Sequence, residues 1–123
     1  MGVEVQTIRP GDGKTFPKAG DTVQTQYVLT LAADGRELDS SHRRHKPFEF
    51  QIGARQVIRG WDEGILKMSV GEKAKLIVTS DFGYGAEGGG TVIAPNSDLV
   101  FEVELLAILE PKGPRGQTLN LNP

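Results

Sequence analysis

Alternation of apolar and polar side chains with a period of two marks several stretches of the chain as β-strands. In the longest stretch Val23, Tyr27 and Leu29 share one face, and Gln24 and Gln26 share the other. Such alternation is typical of a strand with one buried face and one face turned toward solvent. Similar alternation predicts further strands at residues 3–9, 48–52, 73–79 and 99–108.

One stretch of the chain has helical rather than strand spacing. Apolar residues recur at intervals of three and four positions from Val57 to Leu66, with Trp61 between them, and this predicts a short helix. Gly60 and Gly64 lie inside the stretch, although each glycine costs a helix about 1 kcal/mol relative to alanine. Two glycines are explained if this side of the helix packs closely on a sheet.

The order of these elements is strands, one helix and then strands again, and it predicts an α+β fold with an antiparallel sheet. The chain has 123 residues, the length of a single domain. From Pro111 onward almost no core-forming pattern remains. We therefore predict one domain over residues 1–109 and a C-terminal tail over residues 110–123.

Composition excludes several classes of protein. Hydrophobic residues make up 37% of the chain and charged residues 24%, which is neither a disordered nor a membrane composition. The net charge is -2 and the basic residues are scattered, so nucleic acid is not an expected partner. The chain has no cysteine, and its first residues lack the basic-then-apolar pattern of a secretory signal. We expect a cytoplasmic protein that does not bind membranes.

Two motifs fail on closer inspection. Residues 83–88 match G-x-G-x-x-G, but the following segment runs to Pro95 through two more glycines and cannot open the helix that a dinucleotide site needs. His42 and His45 are separated by two arginines, whose charge opposes a metal ion. Ser40 and Ser41 beside them are typical turn residues. The sequence therefore predicts neither a metal nor a cofactor.

The aromatic residues leave two interpretations open. They fall in strands, in the helix and in the glycine-rich loop, and they form either an ordinary core or the lining of a cavity with Trp61 as its floor. These residues are Phe16, Tyr27, Phe48, Phe50, Trp61, Phe82, Tyr84 and Phe101.

Several separated motifs make the chain recognisable. They are GVEVQTI at 2–8, TFPK at 15–18, DSS at 39–41, KPFEF at 46–50, VIRGWDEG at 57–64, MSVGEKA at 68–74, FGYGA at 82–86 and LVFEVELL at 99–106. In these motifs the chain closely resembles the FKBP-type peptidyl-prolyl isomerases, the small immunophilins, over about residues 1–109. The resemblance implies a twisted antiparallel sheet wrapped around one short helix, with a pocket between them.

The same resemblance implies a function. The family catalyses cis–trans isomerisation of Xaa–Pro bonds without a cofactor and binds the macrolides tacrolimus and rapamycin. Expected partners are proline-containing peptides and proteins, the macrolides, and a phosphatase or kinase recruited by the drug complex. The protein itself is expected to be a monomer. One alternative is a non-catalytic binding module, which docks a proline-containing partner in the same pocket or is a regulatory subunit of a channel or kinase. The other is an inert fold whose aromatic residues are all buried.

Site residues follow from the resemblance position by position. Trp61 resembles the pocket floor, and Asp39 the acidic residue at the pocket edge, with Arg44 as its charge partner. Tyr84 resembles the tyrosine whose hydroxyl donates to a ligand carbonyl, and the backbone N–H of Ile58 resembles a second donor. The predicted catalytic set is Asp39, Trp61, Tyr84 and Phe101, and the other predicted ligand contacts are Tyr27, Leu38, Arg44, Phe48, Phe50, Gln56, Val57, Ile58, Val92 and Ile93.

The chain departs from the family pattern at four places. Leu38 stands where many members have phenylalanine, and Ala94 stands where proline is common. Three glycines at 88–90 replace a bulkier loop tip, and the turn at 32–35 is one residue longer than in the smallest members. These changes bear on substrate preference and drug affinity rather than on the pocket floor.

Overall fold

The computed structural model describes residues 2–89 and 93–109. Its strands are β1 (Val3–Arg9), β2 (Thr22–Leu31), β3 (Glu37–Ser40), β4 (Phe48–Gln51), β5 (Lys73–Val78) and β6 (Leu99–Leu109). One α-helix, α1 (Arg59–Gly64), is continued by a 3-10 turn at Ile65–Lys67. Further 3-10 turns lie at His42–Arg44, Ser80–Phe82 and Gly85–Glu87. The predicted tail, residues 110–123, lies outside the described residues.

The strands form one antiparallel sheet in which β2 is central. The order is β1-β5-β6-β2-β3, and β4 also pairs with β2. β6 follows one edge of β2 over its whole length, from Thr22 opposite Leu109 to Leu31 opposite Leu99. The other edge of β2 is shared by β4 and β3. The predicted α+β fold, a sheet with one short helix, is confirmed.

Helix α1 packs against the inner face of the sheet, and its glycines permit a close approach. A Cβ atom on Gly60 would lie 2.7 Å from Cγ1 of Val78, and one on Gly64 would lie 3.2 Å from Cγ2 of Val3. The close packing expected from the two glycines is therefore present. The buried apolar side chains of the sheet, the helix and the adjoining segments form one core: Val23, Tyr27, Leu29, Phe50, Ile52, Trp61, Ile65, Met68, Ala74, Leu76, Val78, Ile93, Leu99, Phe101, Val103 and Leu105.

The helix is shorter than the apolar spacing predicted. It begins at Arg59, because Ile58 has an extended backbone with ψ of 154° and acts as the N-cap. The α-helix ends at Gly64, and the 3-10 turn continues the chain to Lys67. Val57 and Ile58 satisfied the helical spacing but lie in the segment before the helix, so the predicted start at residue 57 is wrong.

The glycine-rich loop forms no α-helix in its described part. Gly85–Glu87 is a 3-10 turn, and Gly89 pairs with Ile93 in an isolated bridge. Within residues 2–89 and 93–109, no helix is long and apolar enough to cross a membrane. In that same part of the chain, no three His, Cys, Asp or Glu side chains group closely enough to hold a metal ion.

Candidate active site

A cavity of about 790 Å³ opens between the sheet, the start of α1 and the segments that flank it. Strands β2, β3, β4 and β6 all contribute side chains, and so does the segment before the helix. The cavity is lined by Tyr27, Leu29, Asp39, Arg44, Lys46, Pro47, Phe48, Glu49, Gln56, Val57, Ile58, Trp61, Tyr84 and Phe101. Its size is within the range of small-molecule pockets.

Trp61 forms the base of the cavity. It lies in the first turn of α1 with only 3% of its surface exposed, and its indole N–H has no acceptor among the described residues. The ring centroids of Tyr27, Phe48, Phe50 and Phe101 lie 5.4, 5.8, 5.5 and 5.3 Å from its own. Such distances are typical of favourable aromatic pairs. Trp61 therefore gives the cavity an apolar floor that is packed against four other aromatic rings.

Asp39 is held at the cavity edge by three donors. Its Oδ2 accepts hydrogen bonds from the Tyr27 hydroxyl at 2.9 Å and from Nη2 of Arg44 at 2.8 Å. Its Oδ1 accepts from the backbone N–H of Ser40 at 2.8 Å. Partial burial raises the pKa of Asp39, but the hydrogen bonds from Arg44, Tyr27 and Ser40 outweigh it and hold that pKa below its ordinary value. The carboxylate is therefore charged at neutral pH.

Two tyrosine hydroxyls face the cavity in different states. Tyr27 both donates to Asp39 and accepts from Nε of Arg44 at 3.3 Å. The Tyr84 hydroxyl has no partner within the described chain, and the residue is 40% exposed. Burial raises the pKa of both phenols, and the charge of Asp39 adds to the effect at Tyr84. Each therefore keeps its proton at neutral pH, and the Tyr84 hydroxyl can donate a hydrogen bond to a ligand.

The backbone N–H of Ile58 is a second available donor. It makes no hydrogen bond to any other described residue, whereas the C=O of Ile58 accepts from the N–H groups of Trp61 and Asp62 in the first turn of α1. The same residue lines the cavity. A ligand carbonyl could therefore accept from Ile58 without displacing an existing bond.

The structure brings most of the predicted site residues together. Phe50 does not line the cavity but packs behind it, stacked on Phe48 with centroids 5.5 Å apart. Leu38 also lies outside the lining, because successive side chains of a strand point to opposite faces and Asp39 takes the cavity side. Ile93 is buried and bridged to Gly89. The other predicted overhanging residue, Val92, lies outside the described residues.

Four lining residues were missing from the predicted set. Leu29 shares the inner face of β2 with Tyr27, so the alternating pattern of that strand already indicated that Leu29 lies on the same side as the cavity. Lys46, Pro47 and Glu49 belong to the KPFEF motif, but nothing in that motif shows which side chains face a cavity. A ligand-sized cavity beside Trp61, with an exposed Tyr84 at its mouth, rules out the inert core.

Comparison with known proteins gives the family. Residues 13–106 match the model of the FKBP-type peptidyl-prolyl cis-trans isomerases. FK506-binding protein 1A of Emericella nidulans is 63% identical over 108 residues, which cover 88% of this chain and 99% of that protein. Peptidyl-prolyl cis-trans isomerase Fkbp12 of Drosophila melanogaster is 55% identical, and peptidyl-prolyl cis-trans isomerase FKBP1A of Xenopus laevis is 54% identical, each with the same coverage. The chain belongs to the FKBP-type family and is a peptidyl-prolyl cis-trans isomerase.

Proposed function

We propose that the Trp61 cavity is the site at which this isomerase acts, and that the same cavity binds tacrolimus and rapamycin. The observation that carries the proposal is the combination of an apolar aromatic floor with two available donors, the Tyr84 hydroxyl and the Ile58 N–H. A proline ring fits over the floor, and the carbonyls on either side of it can accept from the donors.

The reaction needs no proton transfer to or from the protein and no bond cleavage. Rotation about an Xaa–Pro bond must break amide resonance, a barrier of about 18–20 kcal/mol. The cis and trans forms differ by only about 0.5–1 kcal/mol, so neither is strongly favoured. The high barrier makes the exchange between them slow. A site that stabilises the twisted amide relative to the planar one is therefore sufficient for catalysis.

An apolar cavity favours the twisted amide. Resonance in the planar amide places charge on oxygen and nitrogen, which water stabilises, and the twisted form carries less of that charge. Moving the amide from water to the rings of Tyr27, Trp61 and Phe101 therefore raises the free energy of the planar form more than that of the twisted form. Contacts elsewhere on the peptide must offset the cost of binding. The donors at Tyr84 and Ile58 would hold the peptide bent during rotation.

Asp39 acts as an orienting charge rather than a general base. Its low pKa and its bonds to Tyr27 and Arg44 leave it a poor proton acceptor at neutral pH. A fixed negative charge beside the cavity would orient the dipole of the twisted amide. The side chains of Tyr27 on β2 and Arg44 in the turn His42–Arg44 fix the position of the carboxylate, so the charge stays in place without bound ligand.

Macrolide binding is proposed from the relatives. FK506-binding protein 1A of Emericella nidulans carries tacrolimus (FK506) binding in its name, and it shares 63% of aligned residues with this chain. A macrolide would place an apolar ring over Trp61 and a carbonyl at Tyr84, as a proline peptide does. Rapamycin binding, recruitment of a phosphatase or kinase by the drug complex, a cytoplasmic location and the monomeric state stay predictions.

The test is the exchange rate of a Leu-Pro peptide, measured by NMR with and without stoichiometric tacrolimus. We expect the drug to abolish catalysis, and we expect Trp61→Ala to lower kcat/KM at least tenfold, since about 1.4 kcal/mol of lost transition-state contact has that effect. Met68→Ala is the matched control, because Met68 is as deeply buried as Trp61 but does not line the cavity. Catalysis that survives both the drug and Trp61→Ala would place the reaction elsewhere.

A further inference from the structure

One edge of β2 has a gap at Tyr27. β4 pairs with β2 as far as Thr25, and β3 pairs with it from Val28 onward. Between these two strands the chain leaves the sheet through the 3-10 turn His42–Arg44. The backbone N–H and C=O of Tyr27 on this edge therefore need partners from outside the ladder, because buried backbone groups are almost always hydrogen-bonded.

Ser41 supplies both partners. Its backbone N–H donates to the C=O of Tyr27 at 3.0 Å, and its Oγ accepts from the N–H of Tyr27 at 3.0 Å. The same hydroxyl donates to Oε1 of Gln26, and the residue is fully buried. The side-chain oxygen of Ser41 thus replaces the carbonyl that a continuous strand would offer.

The bonds of Ser41 lead directly to the cavity. Its C=O accepts from the N–H of Arg44 at 3.0 Å, which closes the turn that carries Arg44. Arg44 and Tyr27 are the two residues whose side chains hold the carboxylate of Asp39. Both side-chain partners of Asp39 are therefore anchored through their backbones to one serine.

We propose that Ser41 is a positioning residue for isomerisation: by filling the gap in β2 it fixes Tyr27 and Arg44, and through them the Asp39 carboxylate at the cavity edge. The inference rests on the proposed function of the Trp61 cavity. Ser41 does not line the cavity, so it acts only through other residues. The competing explanation is that its hydroxyl contributes to stability alone.

The experiment compares two buried serines. Ser69 is also buried, and its Oγ accepts from the N–H of Gly13 at 3.0 Å, but neither Ser69 nor Gly13 lines the cavity. Ser41→Ala and Ser69→Ala each remove one buried hydroxyl. We expect Ser41→Ala to lower kcat/KM about tenfold, mainly through kcat, because small misplacements of catalytic groups have effects of this size. Ser69→Ala should leave both constants unchanged.

A second readout does not depend on activity. The carboxyl carbon of Asp39 is followed by NMR through an acid titration of each folded variant. We expect the pKa of Asp39 to rise toward its ordinary value in Ser41→Ala and to stay at its native value in Ser69→Ala. Equal losses of activity in the two variants, with an unmoved Asp39 titration, would reduce Ser41 to a structural role and overturn the proposal.

Two further outcomes are informative. If Ser41→Ala does not fold, Gln26→Met removes the acceptor of the Ser41 hydroxyl from a half-buried position, and we expect a smaller shift of the Asp39 titration in the same direction. An unchanged titration in that variant would also overturn the proposal. If the titration moves while Trp61→Ala keeps full activity, Ser41 still positions Asp39 and it is the proposed function of the cavity that fails.

Discussion

At the scale of single residues, the two tyrosines of the cavity have opposite tasks. The hydroxyl of Tyr27 is engaged by Asp39 and Arg44, so it belongs to the frame of the site. The hydroxyl of Tyr84 has no partner in the described chain and lies at the mouth, so it is free to bind a ligand. We therefore propose that the same chemical group is structural in one position and binds ligand in the other.

Paired Tyr→Phe substitutions separate these tasks. Tyr84→Phe should leave the free energy of unfolding within about 0.5 kcal/mol of the native value. It should lower kcat/KM about fivefold, the rate equivalent of one hydrogen bond of about 1 kcal/mol. Tyr27→Phe should lower the free energy of unfolding by about 1.5–3 kcal/mol, because it removes a bond to a carboxylate. Urea denaturation and peptide exchange measure the two quantities, and the reverse pattern would contradict the assignment.

Residue identities in the site were more predictable than side-chain directions. Resemblance to the family pointed to Asp39, Arg44 and Trp61, and the structure gathers all three at the cavity. It also pointed to Leu38 and Phe50, which lie outside the lining. A motif records which residue types occur together, whereas the direction of a side chain depends on strand pleat and on the neighbours that it packs against.

At the scale of elements, α1 shows packing overriding intrinsic helix preference. Gly60 and Gly64 weaken an isolated helix by about 1 kcal/mol each. They are tolerated because a Cβ on Gly60 would come within 2.9 Å of both γ-carbons of Val78, a fully buried residue with a stiff side chain. The missing side chains let Trp61 reach the sheet and become the floor of the cavity.

Gly60→Ala should therefore destabilise the protein. Overpacking costs about 1–3 kcal/mol and outweighs a gain in helix propensity of about 1 kcal/mol, so we expect a net loss of about 1 kcal/mol. Gly64→Ala is the comparison, since its Cβ would meet Val3 and Leu76 at 3.2–3.4 Å and should cost less. Thermal denaturation measures both, and adding Val78→Ala should reduce the penalty of Gly60→Ala. A more stable Gly60→Ala variant would show that the side chain of Val78 moves at little cost to make room for the added methyl group.

Strands were predicted from the sequence more reliably than the ends of the helix. Alternation with a period of two survives in β2, β5 and β6 because one face of each is buried against the helix and its flanks. The helical spacing from Val57 counted two residues that cap and precede α1 rather than form it. Nothing in the pattern indicated that β3 and β4 share one edge of β2, because pairing between distant strands leaves no local signal.

At the scale of the whole molecule, the last described strand, β6, runs as far as Leu109. That residue pairs with Thr22, the first residue of β2, so the last strand ends level with the start of the strand that it follows. Ile108 is half-buried and packs against the core from the position before it. We propose that the domain ends there, as the loss of apolar pattern from Pro111 onward suggests.

Truncation tests this boundary. A chain ending at residue 109 should keep the kcat/KM of the full chain and a free energy of unfolding within about 0.5 kcal/mol of it, the range of changes that touch no packed feature. A chain ending at residue 106 is the control: it removes the partners of Thr22, Val23 and Gln24 and exposes the site of Ile108. That chain should lose about 1 kcal/mol or more, since burial of one such side chain contributes that much. If the first truncation is as harmful as the second, residues 110–123 belong to the folded domain.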